Sequence, residues 1–317
     1  MQLGIDLGGM YESPGYYLDR AERIEAAGFD SLWFGDHFQP WFHEGGRAPF
    51  AWSWIPAALE RTDAIPIGVF VTPPLYRYHP LIVANAAATI DELYPGRFRL
   101  GVGTGERMNE QPFVDEWPSW SERGARLAEA MDVVRRYWTE DDFFDYDGDH
   151  FSFDPVYPYE QPVADVPVYF AATGPKSARL AAEHGDHLVT IASVPDVESR
   201  VVGPYRDHGG DGEVVFQMVG GFGDVDRLID RVGDSFASTL LPENLDEYDP
   251  RRLQASTDRV SRSEVRDAFL FAESAEDVLA WLDDQAEKGA DHAVITDVSY
   301  EQDAFYETAA EEILPAL

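Results

Sequence analysis

The feature that most constrains this chain is the alternation of short apolar runs with amphipathic helical segments along its 317 residues. Residues 2–6 read as a first strand. Leu18, Ala21, Ile24 and Ala27 then recur at helical spacing, and Gly28 stops that helix. Further strands are expected over 31–34, 65–71, 97–102, 168–172, 187–191, 213–219 and 292–296. Helices are expected over 55–61, 79–93, 119–138, 176–184, from 224 to about 240, 275–288 and 301–314, with helical character at 196–205. Residues 145–153 predict a hairpin with Asp147-Gly148 as its turn pair. Residues 241–262 are polar and irregular, an excursion over one end of the fold. Eight strands with intervening helices predict an α/β architecture, a (β/α)8 TIM barrel with insertions at its C-terminal face, in one domain spanning 1–317. An open, doubly wound sheet is the alternative topology.

Charge narrows the partners. Asp and Glu total 59 against 24 Lys and Arg, a net charge of -35. Only Lys176 and Lys288 are lysines. With 44% hydrophobic and 13% aromatic residues, such a charge fits a solvated acidic coat on a folded protein better than disorder. The coat resembles that of salt-adapted archaeal cytoplasmic proteins. No basic footprint for nucleic acid is present. No apolar run reaches the ~20 residues that cross a bilayer. The N-terminal segment lacks the pattern of a cleaved signal, so a cytoplasmic location is expected. The absence of cysteine excludes disulfides, thiolate metal sites and a Cys nucleophile.

Chemistry-bearing residues gather where expected strands open into loops, the end at which parallel α/β folds place their sites. Asp36-His37-Phe38-Gln39-Pro40-Trp41 follows the second strand. His37 can serve as general base for a hydroxyl proton, with Asp36 orienting it or holding a ligand's polar edge. Trp41 can cover a flat ring or simply anchor a core. After the fourth strand, Gly101-Val102-Gly103-Thr104-Gly105-Glu106 fails as a dinucleotide fingerprint, because Glu106 stands where the third glycine belongs. Its glycines instead let a backbone approach a flat ligand. Glu106 can donate a proton if burial raises its pKa, and Asn109 can bind amide or carbonyl groups. Thr72 follows the third strand. Thr173-Gly174-Pro175-Lys176 opens a helix after the fifth, where free amides and Lys176 make a phosphate cradle or an ordinary helix start. His43, Glu44, Glu60, His150 and His187 fall at no recognised metal-ligand spacing, so no metal is expected. No Gly-x-Ser-x-Gly elbow supports acyl transfer.

Asp36-His37-Phe38-Gln39-Pro40-Trp41, Gly45-Gly46-Arg47-Ala48-Pro49-Phe50, Glu60-Arg61-Thr62, Tyr94-Pro95 and the run from Gly101 to Glu110 together resemble the deazaflavin-dependent glucose-6-phosphate dehydrogenase group of the luciferase-like (β/α)8 superfamily. The resemblance is dense to about residue 140 and architectural toward the C-terminus. It implies coenzyme F420 as hydride carrier, a hydroxyl substrate and a homodimer. It further implies that Asp36 contacts the deazaflavin and His37 takes the substrate proton. Trp41 would stabilise the reacting centre, and Glu106 would protonate the cofactor ring. Thr72, Asn109, Thr173 and Gly174 fall on cofactor-contact positions. A non-prolyl cis peptide is implied near Val69-Phe70.

One departure bears on substrate. Where the sugar-phosphate enzymes place a Thr and a Lys against the phosphate, this chain aligns Ile191 and Val194. Arg251, Arg252, Arg262 and Arg266 are the candidates for the remaining phosphate cations. The substrate class therefore spans sugar, sugar phosphate and secondary alcohol. An FMN-dependent monooxygenase of the same superfamily and a non-catalytic flavin- or sugar-binding barrel are the alternative functions.

Overall fold

The computed structural model describes all 317 residues. Its strands are β1 (Gln2–Asp6), β2 (Ser31–Phe34), β3 (Ile67–Thr72), β4 (Phe98–Val102), β5 (Phe144–Asp147), β6 (Ser152–Val156), β7 (Val168–Ala171), β8 (His187–Ile191), β9 (Val214–Phe222), β10 (Leu270–Ala272) and β11 (His292–Asp297). Parallel pairing runs β1-β2-β3-β4-β7-β8-β9-β11 and returns to β1, closing an eight-stranded barrel. Strands of such a barrel are covered on both faces, which is why they read as continuous apolar runs. Outside, 57 buried residues pack the strands against the surrounding helices. Inside, Trp33, Phe70, Tyr169, Val189, Val215 and Val294 fill the cylinder. Trp33 stacks on Phe70 at 4.1 Å, and the cis peptide lies at Phe70-Val71, one residue beyond the expected place.

Several boundaries differ from the sequence reading. The helix expected to begin at 55 begins one turn earlier, as Ala51–Arg61. Residues 241–262 are not irregular: 3-10 turns at Pro242–Asp246 and Thr257–Arg259 flank a helix at Pro250–Ser256, and another helix starts at Arg262. They do lie over the mouth. Gln39 Nε2 donates to the Met108 and Tyr248 carbonyls, and the His43 and Glu44 amides donate to Gln254 Oε1. The hairpin loop is Gly148–Phe151 rather than a two-residue Asp-Gly turn, because the Glu129 carboxylate accepts the amides of Asp149, His150 and Phe151 and opens it. Strand β10 was not anticipated; it pairs only with the end of β9.

Candidate active site

The loop after β2 and the loop after β4 meet over the barrel mouth, and Asn109 joins them. Its Oδ1 accepts the amides of Phe38 and Gln39 at 2.8 and 3.0 Å. That fixes the orientation of its amide group. Its Nδ2 then donates to Glu106 Oε2 at 3.0 Å and to His37 Nδ1 at 3.2 Å. His37 Nδ1 is therefore the lone-pair nitrogen of the neutral imidazole. His37 Nδ1 and Glu106 Oε2 stand 4.0 Å apart. The turn into the short helix carrying Asn109 needs Gly105, at φ +74°, where a Cβ would also crowd Glu110 Cγ at 3.0 Å.

Electrostatics separates the two groups. Burial, with Arg77 assisting, lowers the His37 pKa to about 4. Burial raises the Glu106 pKa to about 7, against the Asn109 hydrogen bond and Arg77. The Glu106 side chain is nonetheless 46% accessible. Protein therefore surrounds the carboxyl closely enough to weaken its hydration, while the side chain itself stays open toward the mouth.

Beneath this pair lies an ion cluster that the sequence did not reveal. Asp36 accepts Thr72 Oγ1 at 2.8 Å, Tyr78 OH at 3.1 Å and Arg77 Nη2 at 3.2 Å. Arg77 Nη2 also donates to the Asp36 carbonyl at 2.9 Å, and Trp52 Nε1 donates to Thr72 Oγ1 at 3.1 Å. Arg77 Nε stands 3.2 Å from Glu110 Oε1, within ion-pair distance but misaligned for a hydrogen bond. Burial pushes the Glu110 pKa up to about 7 and raises that of Asp36, with Arg77 opposing both. The available signal was an arginine in the loop after the third strand of a chain with few cations. A second unforeseen carboxyl, Asp6 at the end of β1, accepts Gly8 N, Thr296 Oγ1 and Gln217 Nε2, and burial raises its pKa to about 6.

Of the predicted site residues, the structure thus connects Asp36, His37, Thr72, Glu106 and Asn109. Trp41 is buried with Met10, Phe42, Met108 and Leu253, under the helices that cover the mouth. Thr173, Gly174 and Lys176 follow β7. The Thr173 and Gly174 amides donate to Ser177 Oγ at 3.2 and 3.3 Å, so these two amides are engaged rather than free. Lys176 is exposed, its Nζ 6.0 Å from the Trp120 ring centroid. A Cβ on Gly103 would meet Val71 Cγ2 at 2.8 Å and Ala171 Cβ at 3.5 Å, whereas one on Gly174 would meet nothing within 4 Å. Lacking a side chain, Gly103 lets Val71 and Ala171 close in at the end of β4, an apolar surface at the mouth that fits a flat ring.

The luciferase-like monooxygenase family profile matches residues 2–213. The F420-dependent glucose-6-phosphate dehydrogenase of Rhodococcus erythropolis is 32% identical, over 100% of this chain and 98% of that protein. Among solved structures, an F420-dependent secondary alcohol dehydrogenase in complex with an F420-acetone adduct superposes with a TM-score of 0.94 at 32% identity, covering 99% of this chain and 98% of the other. The coenzyme F420-dependent tetrahydromethanopterin reductase of Methanopyrus kandleri shares the fold, with a TM-score of 0.77 at 18% identity over 99% of each chain.

Proposed function

The chain belongs to the luciferase-like monooxygenase family, and on that premise we propose that it is a coenzyme F420-dependent dehydrogenase of hydroxyl compounds, working as a single barrel domain. The observation that carries this reading is one 4.0 Å pair whose two members are displaced oppositely in proton affinity. Environments that drive neighbouring titratable groups apart assign one as base and the other as acid. When bound, the deazaflavin supplies a hydride-accepting carbon. His37, neutral at physiological pH, accepts the substrate hydroxyl proton at Nδ1, replacing the long Asn109 contact. Glu106 retains its proton near neutrality and donates it on the cofactor side. Asn109 is a positioning residue for both. Asp36 and Thr72 hold the cofactor floor through Arg77 and Tyr78, and Trp41 walls the reacting centre. Thr173, Gly174 and Lys176 flank the coenzyme's phosphate, with Lys176 supplying charge.

The substrate we infer is uncharged, a secondary alcohol or a neutral sugar. The cations of the covering segment are already neutralised. Arg251 pairs with Asp249 at 2.6 Å, Arg252 with Glu247 at 3.6 Å, and Arg262 with Asp226 and Asp230. Arg266 lines a separate cavity together with Glu273 and Asp277. Ile191, at the end of β8, is 43% exposed. A phosphate dianion would meet apolar surface and satisfied arginines. The related alcohol dehydrogenase structure supports the same choice.

The test is a panel of secondary alcohols, glucose and glucose 6-phosphate, followed by bleaching of the deazaflavin at multimolar KCl. Turnover with neutral substrates is expected. A preference for glucose 6-phosphate would overturn the substrate class, and no bleaching with any hydroxyl compound would overturn the function. The finer features, a salt-adapted archaeal type, a cytoplasmic location and a homodimer, belong to the same proposal. Light scattering in KCl checks the dimer. No helix is long and apolar enough to cross a membrane.

A further inference from the structure

A cavity of about 350 Å³ lies beside the active site, between the loop after β3, the helix Trp120–Thr139 and the β5–β6 hairpin. Tyr76, His79, Arg126, His150 and Phe151 line it. Arg126 has no carboxylate within 4.0 Å, in a protein with 59 acidic side chains. Its Nε donates to the Leu75 carbonyl at 3.0 Å, which fixes the guanidinium, and no protein acceptor meets its terminal nitrogens. Its charge centre lies over the Tyr76 and Phe151 rings at 4.7 and 4.6 Å. Rings on a cation exclude water and strengthen whatever anion it meets next.

Two imidazoles complete the lining. His79 Nδ1 accepts the Leu81 amide at 3.2 Å, so its Nε2 carries a proton that it can donate. His150 Nδ1 stands 3.3 Å from Glu122 Oε1, the carboxylate at the rim, which leaves its other nitrogen for a ligand. The lining is held in place, because Glu129 pins the backbone of His150 and Phe151. A route to the cavity starts at the end of β7. Lys176 lies near the Trp120 ring, and Arg123 donates to the Thr104 carbonyl at 3.1 Å over the Trp117 ring at 4.3 Å. Trp120, Arg123 and Arg126 are three residues apart and share one helix face.

We propose that this cavity is an anion subsite for a carboxylate or phosphate group, and that its occupant is the glutamate-bearing tail of the coenzyme. The choice of occupant rests on the F420 reading; the subsite does not. The acidic coat makes the assignment sharper, since Arg126 stands free of carboxylates while the nearby Glu122 meets His150 instead.

The experiment measures affinity for coenzyme F420 and for its tail-less deazaflavin by fluorescence, at one fixed KCl concentration. Arg126→Gln and Ser152→Glu, the latter placing a carboxylate on the cavity rim, should each weaken the tailed coenzyme about tenfold, the scale of one charge-assisted hydrogen bond. Neither should change affinity for the tail-less form, and Arg126→Lys should retain most of the binding. In parallel, inorganic phosphate is titrated against the histidine side-chain NMR signals. Phosphate shifts of His79 and His150 that Arg126→Gln abolishes, with coenzyme affinity unchanged, would keep the subsite and assign it to a free anion. Unchanged coenzyme affinity in both variants, with no phosphate response at either histidine, overturns the proposal. If neither coenzyme form binds the unaltered protein, the functional reading fails, and the phosphate titration alone decides the cavity.

Discussion

Nδ1 of His37 faces Oε2 of Glu106 at 4.0 Å, and both contact one amide nitrogen, Asn109 Nδ2. The pair sits at the junction of two loops from different strands. Neither residue owes its proton affinity to the other, since burial is the leading cause of each shift. A ligand covering the accessible side of Glu106 would remove more water and push its pKa further up.

The pH profile of hydroxyl oxidation follows from these directions. His37 must be neutral, so kcat/KM should rise through about pH 4. Glu106 must carry a proton, so kcat/KM should fall through about pH 7. Glu106→Gln should remove the falling limb and lower the rate by roughly 10²–10⁴-fold, the usual contribution of a placed acid or base. Initial rates of deazaflavin bleaching across pH check both limbs. A plateau extending well above neutrality would contradict the assignment of Glu106.

Asn109→Ala separates positioning from chemistry. The Asn109 hydrogen bond lowers the Glu106 pKa, so its loss should move the falling limb to higher pH. The Phe38 and Gln39 amides would lose their acceptor, destabilising the loop by about 1–3 kcal/mol. Thermal melting and the pH profile report the two effects independently. An unmoved limb would mean that Asn109 holds the loop alone.

How much of this was legible follows from what each residue answers to. The barrel strands were readable because burial on both faces leaves apolar runs, as in Ser31–Phe34 and His292–Asp297. Leu270–Ala272 was not, since three residues paired to one strand end carry no period. His37 and Glu106 were readable as reactive types at strand ends. Arg77 was not, because its partners Asp36 and Glu110 are distant in sequence and only the fold brings them to it. Asn109 was placed against a ligand, yet its amide is engaged by four protein groups. Trp41 was readable as a ring cover or a core anchor, but the cluster that buries it draws on Ile229, Phe236 and Leu253 from far along the chain, invisible to any local window.

Arg77→Met tests the buried cluster. It would leave Asp36 and Glu110 without their cation, a loss of about 3–5 kcal/mol at neutral pH. Both carboxyls would then hold protons more tightly still, so the loss should shrink as pH falls and they become neutral. Arg77 also lowers the His37 pKa, so the rising limb of the activity profile should move to higher pH. Chemical denaturation at several pH values and the rate profile read these out. A pH-independent stability loss would contradict the cluster's electrostatic role.

Salt and pH should together divide the surface charge from the buried charge. The net charge of -35 makes self-repulsion the dominant surface term. The Debye length shortens from ~10 Å at 0.1 M to ~3 Å at 1 M, so the melting temperature should climb steeply with KCl. Exposed pairs such as Arg262 with Asp226 weaken over the same range, but water already screens them and they contribute little. Lowering pH should mimic added salt at low KCl by protonating the coat. In high KCl a residual pH dependence should persist, because Glu110 is buried where salt does not reach. Its pKa is raised from 4.5 to about 7 in the fold. Its contribution is therefore complete below the unfolded value and is lost as pH rises through about 7. Glu110→Gln should reduce that residual slope while leaving the KCl dependence unchanged, and Glu106, also raised to about 7, keeps its share of it. A slope identical in variant and parent would place the buried proton elsewhere, with Glu106, raised to about 7, and Asp6, raised to about 6, as the next carboxyls to replace.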